Sequence, residues 1–382
     1  MRPVAIVSFA QSKIVAREER RNEVEMLMPV VAEAVERSGI PKKEIGFTVS
    51  GSCDYLTGAP FSFVSALDAV GAWPPIIESH VEMDGAWALY EAWVRLQAGD
   101  LDSALVYCFG KSSLGDIREI LTLQLDPYYQ APLWPDQVSL AALQARAVLE
   151  ANGYTESDLA KIAARSRRNA MSNPNAQLAA DVTVEKLLAA PYAVSPLREH
   201  DCPPVSDGTA VAVLAAGNLA AKVCERPAWI TGIDHRIEPH SIGARDLTRS
   251  PSTELAAERA GVHDGPVDVA ELHAQFTHEE LVLRRALRLG DEVSVNPSGG
   301  PLCGNPVMAT GLIRIGEAAE RIMSGEAERA VAHASSGPCL QQNLVCVLSS
   351  RQGRRDRIIS TSSASDFIPA KPDNPSISQG GR

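Results

Sequence analysis

The sequence predicts an α/β fold built from two copies of one β/α unit. Three observations predict it. Apolar, β-rich runs alternate with stretches of helical periodicity, the pattern of a sheet covered by helices. The 382 residues are 45% hydrophobic but only 5% aromatic, a composition suited to close helix–sheet packing. Two distant segments also align without a gap at a shift of 226 (311 minus 85): GAWALYEAWVRLQAGDLDSALVYCFG at 85–110 and GLIRIGEAAERIMSGEAERAVAHASS at 311–336. Gly85 meets Gly311, Gly99 meets Gly325 and Ala104 meets Ala330.

The elements follow in chain order. VAIVSFA (4–10) reads as a first strand rather than a leader, because its apolar run is short and no small-residue cleavage site follows. EVEMLMPVVAEAVERSGI (23–40) has helical spacing and a glycine near its end. IGFTVSGS (45–52) reads as a strand, DGAWALYEAWVRLQAGD (84–100) as a helix, SALVYCFG (103–110) and AVAVLAAG (210–217) as strands. The order then recurs. PVAIVSF resembles AWITGID (228–234), and GFTVSGSCDY resembles VDVAELHAQF (267–276). Repetition in matched order marks an internal duplication. It implies a first domain over 1–222 and a second over 223–350. Residues 111–200 are an insertion in the first copy, and their Pro- and aromatic-rich stretch DPYYQAPLWPD (126–136) suits a segment that shapes a binding site. The Ser-, Pro-, Gly- and Arg-rich residues 351–382 read as a disordered tail.

Composition excludes several functions. Lys+Arg 36 against Asp+Glu 47 gives a net charge of −11 with no basic block, which argues against nucleic acid as a partner. No apolar run reaches membrane-spanning length. The seven cysteines, at 53, 108, 202, 224, 303, 339 and 346, are scattered without a CxxC pair. That points to free thiols in a reducing cytoplasm and against a zinc site. No histidine pair has metal-ligand spacing, so no metal is expected.

Three further stretches, with the duplication, carry a family resemblance. CPPVSDGTAVAVLAAG (202–217), VAELHAQFTHEEL (269–281) and NPSGGPLCGNPVMATG (296–311) resemble the Cys-Pro-x-x-Ser-Asp-Gly, Glu-x-His-Asp-x-Phe and Gly-His-Pro segments of the thiolase superfamily. The branch related to sterol carrier protein x, often labelled lipid-transfer proteins, is the most similar. The resemblance spans about residues 1–350. It implies a layered α-β-α-β-α architecture, coenzyme A thioesters as substrates and no bound cofactor. In such a family a cysteine at a helix N-terminus takes the acyl group, while histidines move protons and build oxyanion holes.

Residue by residue, the resemblance departs at the nucleophile. Anchoring Gly85 on the family glycine puts Glu82 in the cysteine slot, and Asn305 stands where the Gly-His-Pro histidine would. A carboxylate cannot carry a useful thioester, so Glu82 is a candidate general base or a residue favouring the helix dipole. Asn305 can donate to an oxyanion but cannot shuttle a proton. His273 matches the family loop and is the leading candidate for catalysis or oxyanion binding, with Glu271 and His278 as neighbours able to orient it. Gly299, Gly300 and Gly304, with Gly337 in AHASSGPCLQQN, are the candidate substrate-binding glycines, where bare backbone approaches a thioester. Cys303 and Cys339 are substitute nucleophiles to weigh against packed thiols; Tyr55, Tyr107, Tyr128 and Tyr129 are candidate phenols; His80 is a candidate partner for Glu82; and His333, His235 and His240 complete the histidine candidates.

Without the cysteine, retro-aldol cleavage of a β-hydroxyacyl-CoA is mechanistically easier than acyl transfer, since it needs no covalent acyl-enzyme. The resemblance implies fatty or steroid acyl groups, a homodimer and, for the aldolase members, a small OB-fold or zinc-ribbon partner. In those members a tyrosine holds the loop position of His273. The alternative is a non-catalytic acyl-CoA or lipid-binding scaffold.

Overall fold

The computed structural model describes residues 1–71 and 74–352. Apart from Arg351 and Gln352, the expected tail lies outside the described residues. The first copy runs β1 (Val4–Gln11), α1 (Glu23–Ser38), β2 (Phe47–Gly51), the short α2 (Asp54–Thr57), α3 (Ser62–Val70), β3 (Ile77–Val81), α4 (Gly85–Ala98) and β4 (Ser103–Lys111). The insertion then folds as helices α5 (Ile117–Thr122), α6 (Gln137–Asn152), α7 (Glu156–Asn169) and α8 (Val184–Leu188) and a hairpin of β5 (Tyr192–Val194) and β6 (Leu197–Arg198). Next come β7 (Asp207–Ala216) and α9 (Gly217–Val223). The second copy holds β8 (Ala228–Ile237), α10 (Pro251–Ala260), β9 (Val269–Glu271), α11 (Thr277–Ala286), β10 (Ser294–Val295), α12 (Thr310–Met323), β11 (Arg329–Ser336) and β12 (Gln342–Ser349).

Local sequence explains the ends of these helices. Asn22 and Glu25 form a reciprocal capping box at the start of α1, and Gly39 closes it at φ +66°. Gly99 after α4 and Gly325 after α12 both sit in the left-handed region, at φ +87° and +84°. The two glycines paired by the repeat therefore perform the same turn. Ala104 and Ala330, paired by the same shift, are both wholly buried in strands β4 and β11.

Ten strands form one sheet in the order β10-β9-β11-β12-β8-β1-β7-β4-β2-β3. The halves join where Ala5 faces Trp229 and Ile6 faces Ala228. One apolar core holds α4 and α12 between the inner faces of both halves, through Leu89, Leu96, Leu312, Ile315 and Ile322. A second core packs α1 and α3 on the outer face of the first half. A third packs α10 and α11 on the outer face of the second. The five layers are thus α, β, α, β, α. In the repeated segment 267–276 the strand β9 ends at Glu271, leaving His273 in a loop, and the polar run IESHV, given no element in the sequence reading, forms the edge strand β3.

Candidate functional site

A cavity opens beside the N-terminus of α4. Its empty volume is about 610 Å3, the open mouth included. Asp84 lines it from the start of α4, His273 and Gln275 from the loop after β9, Val307 and Met308 from the turn before α12, and Ser335 to Pro338 from the end of β11. Leu121, Gln124, Leu125, Pro135, Gln137 and Leu140 of the insertion form the remaining wall. Gln137 is fixed across the gap by donating from Nε2 to Gln275 Oε1 at 2.8 Å. Parallel strands β9 and β11 deliver their loops to this end, the usual place for ligands in α/β sheets.

His273 is 4% exposed. The backbone N–H of Ser335 donates to its Nδ1 at 3.2 Å, and Ser335 Oγ donates to its carbonyl at 3.1 Å. Burial, then the neighbouring His333 and Arg314, hold its pKa well below the ordinary histidine value. The ring is therefore neutral near pH 7. An amide N–H can only donate, so Nδ1 carries a lone pair and the proton resides on Nε2. Nε2 is buried and has no protein partner. His273 thus lines the cavity and carries one N–H that no protein group accepts.

Asp84 was not visible as a site residue in the sequence. It is 1% exposed and caps two helices at once. Oδ1 accepts from Ala86 N at 2.8 Å and Leu312 N at 3.1 Å, and Oδ2 accepts from Gly311 N at 2.8 Å. Burial outweighs these three donors and raises its pKa to about 6. The available signal was its residue type: aspartate is a preferred N-cap, and it directly precedes the glycine that opens the repeated helix.

The other candidates disperse. Glu82 is not among the residues lining the cavity. Its side chain is 47% exposed, its Oε1 accepts from Asp54 N at 2.6 Å, and its Oε2 lies 3.2 Å from His80 Nε2. The carboxylate thus holds the backbone at the start of α2. His80 and Glu82 do meet, with His80 stacked on Phe63 at 4.5 Å, but away from the cavity. Asn305 is buried outside the lining. Its Oδ1 accepts from Thr310 Oγ1 at 2.8 Å, at the first residue of α12. Gly299, Gly300 and Gly304 make close approaches, but to protein: a Cβ would meet Ala170 Cβ at 2.7 Å, Asn296 Nδ2 at 2.6 Å and Ile14 Cδ1 at 2.9 Å respectively. Of the four glycines only Gly337 lines the cavity.

The orienting roles expected for Glu271 and His278 belong to other partners. Glu271 accepts from Arg314 Nη1 at 2.5 Å and from Ser298 N at 3.0 Å, in a fully buried cluster. His278 Nε2 lies 3.1 Å from Gln144 Oε1. Burial pushes the thiols of Cys303 and Cys339 up to about 12, which leaves them protonated and unreactive. Tyr55, Tyr128 and Tyr129 are exposed, and burial raises the core Tyr107 phenol to about 12. His333 is buried behind His273 and bonds Asn343 Oδ1 at 2.9 Å; His235 stands edge-on to Tyr90. Among the described residues, no group of three or more His, Cys, Asp and Glu is placed to hold a metal.

His278 supplies a pH prediction. Burial lowers its pKa to about 3, against ~6.5 for an exposed histidine. Below ~6.5 the unfolded chain binds a proton that the folded chain refuses, so this stabilisation is present above ~6.5 and is lost as pH falls toward 3. Asp84 and Glu279, raised to about 6 and 7, act in the opposite sense. The comparison must therefore be between wild type and His278→Gln. Urea unfolding at pH 7.5 and 5 should show the wild-type advantage shrinking at the lower pH. An unchanged difference would reject a neutral His278.

No family model matches the chain. It is 26% identical over 369 residues to an acetyl-CoA acetyltransferase of Methanothermobacter thermautotrophicus, covering 88% of this chain and 95% of that protein. In sequence the chain is similar to thiolases over most of its length. Human sterol carrier protein 2 is 26% identical over 302 residues, which are 68% of this chain. The chain spans about half of that relative's length, 54%. Among solved structures, the Ltp2-ChsH2(DUF35) aldolase superposes with a TM-score of 0.77 at 18% identity, covering 93% of this chain and 99% of that one. The Bacillus anthracis acetyl-CoA acetyltransferase gives 0.74 at 19%, covering 91% and 99%. The superpositions show the shared fold. Within it, none of the residues lining the cavity is a cysteine.

Proposed function

We propose that the chain acts on acyl-CoA thioesters by making or breaking a carbon–carbon bond beside the thioester, in the retro-aldol direction on a β-hydroxyacyl-CoA. His273 carries this reading. Its neutral ring lines the cavity and leaves Nε2–H unshared, the kind of donor that an enolate oxygen requires. A cavity without a cysteine is compatible with this chemistry and not with an acyl-cysteine route. The relatives named acetyl-CoA acetyltransferase and sterol carrier protein 2 support the thioester and lipid class, and fatty or steroid acyl groups follow from the latter.

No helix among the described residues is long and apolar enough to cross a membrane, and we place the protein in the cytoplasm as a homodimer. The dimer would form along the first copy, where β3 is an edge strand with Ile77 46% exposed. The Ltp2-ChsH2(DUF35) aldolase is a protein of two named components, which supports a small OB-fold or zinc-ribbon partner here. The second reading, a lipid-binding scaffold, is favoured by the same missing cysteine. Turnover of a β-hydroxyacyl-CoA panel, steroid side chains included, separates the two with and without candidate partners. Aldehyde or ketone release is expected. Tight acyl-CoA binding with no turnover in any combination would give the scaffold.

A further inference from the structure

Cleavage of a β-hydroxyacyl-CoA requires a group to take the hydroxyl proton, and Glu82 is not among the residues that line the cavity. Asp84 lines it. A carboxylate offers about four lone-pair sites, and the three backbone N–H donors of α4 and α12 occupy two on Oδ1 and one on Oδ2. One site on Oδ2 remains. No Lys or Arg forms an ion pair with Asp84 among the described residues. Arg314, the cation whose charge reaches it, is committed to Glu271. The group is therefore a rigidly held carboxylate with spare basicity, facing the same cavity as the His273 donor.

We propose that Asp84 is the catalytic base of this site, an assignment that rests on the retro-aldol reading above. Asp84 Oδ2 takes the proton of the β-hydroxyl. The O–H electron pair becomes the new C=O bond, the Cα–Cβ bond breaks, and its electrons pass into the thioester as an enolate whose oxygen accepts from His273 Nε2–H. The aldehyde or ketone departs. Asp84 then returns the proton to Cα, giving the shortened acyl-CoA and the starting carboxylate. Nothing else is consumed. Burial that leaves the carboxyl near pH 6 suits a group that must both accept and return a proton near neutrality.

The double cap is also a structural role, so the test needs a readout that capping would not move. Asp84→Ser keeps a good N-cap side chain but removes the base; Asp84→Asn keeps the shape. The expected result is a loss of ~10^2–10^4-fold in kcat for either variant, with acyl-CoA binding retained. Wild-type kcat/KM should fall on the acid side as pH drops through about 6, and the residual activity of the variants should lack that limb. A folded variant keeping kcat within a few fold, or a wild-type profile flat from pH 5 to 8, would overturn the assignment while leaving the retro-aldol reading in place. Should neither variant fold, the wild-type profile decides. A wild type that binds acyl-CoA but cleaves nothing would remove the reading and the base with it.

Discussion

His273→Ala should lower kcat for β-hydroxyacyl-CoA cleavage by ~10^2–10^3-fold, or about 3–4 kcal/mol of transition-state stabilisation, the range for loss of one oxyanion donor. KM should change little. The ring gives its N–H to charge that develops on the thioester oxygen only as the bond breaks, and such interactions appear in kcat. The geometry sharpens the expectation. Because Ser335 N holds Nδ1, the tautomer is already set before substrate arrives, and because the ring is held neutral, the effect should be independent of pH between 6 and 8. Steady-state kinetics across that interval tests both statements. A variant whose loss grows steeply with pH would instead make His273 a proton carrier.

Arg314→Met should cost about 3–5 kcal/mol in stability, as for other buried ion pairs deprived of one member. Arg314 and Glu271 are 2% and 0% exposed. Removing the guanidinium leaves Glu271 with only Ser298 N and Oγ as donors, at 3.0 and 2.7 Å. Glu271 ends β9, two residues before His273, and Ser298 anchors the 296–300 loop. The loss would therefore fall on the second copy at the cavity. Removing both charges with Arg314→Met and Glu271→Leu should recover much of it, since no lone charge then remains. Urea midpoints for the single and double variants measure this directly. Equal destabilisation in the two would show that packing, and not the uncompensated carboxylate, sets the cost.

Much of the fold was legible because its signals are local. Gly39, Gly99 and Gly325 end helices by a backbone conformation that glycine adopts freely, and the repeat carries the same turn in both copies. The strands buried on both faces, β4 and β7, read as continuous apolar runs. Edge strand β3 escaped because it needs no such run. The site was legible in part. Its histidine loop was found, but alignment to Gly85 counts residues without saying which way each one faces. Glu82 follows the end of β3 and turns to the start of α2, while Asp84, two residues on, turns inward as the cap. The glycine loop was read as a place where backbone approaches a thioester, and its close neighbours in the fold are Ala170, Asn296 and Ile14. Which partner fills the space left by a glycine is settled by tertiary packing. Arg314 carried a visible signal, a lone cation within the apolar run LIRIGEAA of α12.

The sheet order sets a timetable for synthesis. β1 is the first strand made, yet both its neighbours come late: β7 ends at Ala216 and β8 begins at Ala228. At roughly 5–20 residues per second, β1 waits on the order of ten to forty seconds with both edges open. β4 waits as well, since its antiparallel partner β7 lies beyond the whole insertion. Asp84 waits longer, because two of its three donors, Gly311 and Leu312, emerge near the end of the second copy. The nascent first copy therefore carries open strand edges until β7 and β8 emerge, and a carboxylate with one of its three donors until α12 is made. α12 brings the missing donors, and β11 with Ser335 to Pro338 follows it to complete the cavity wall.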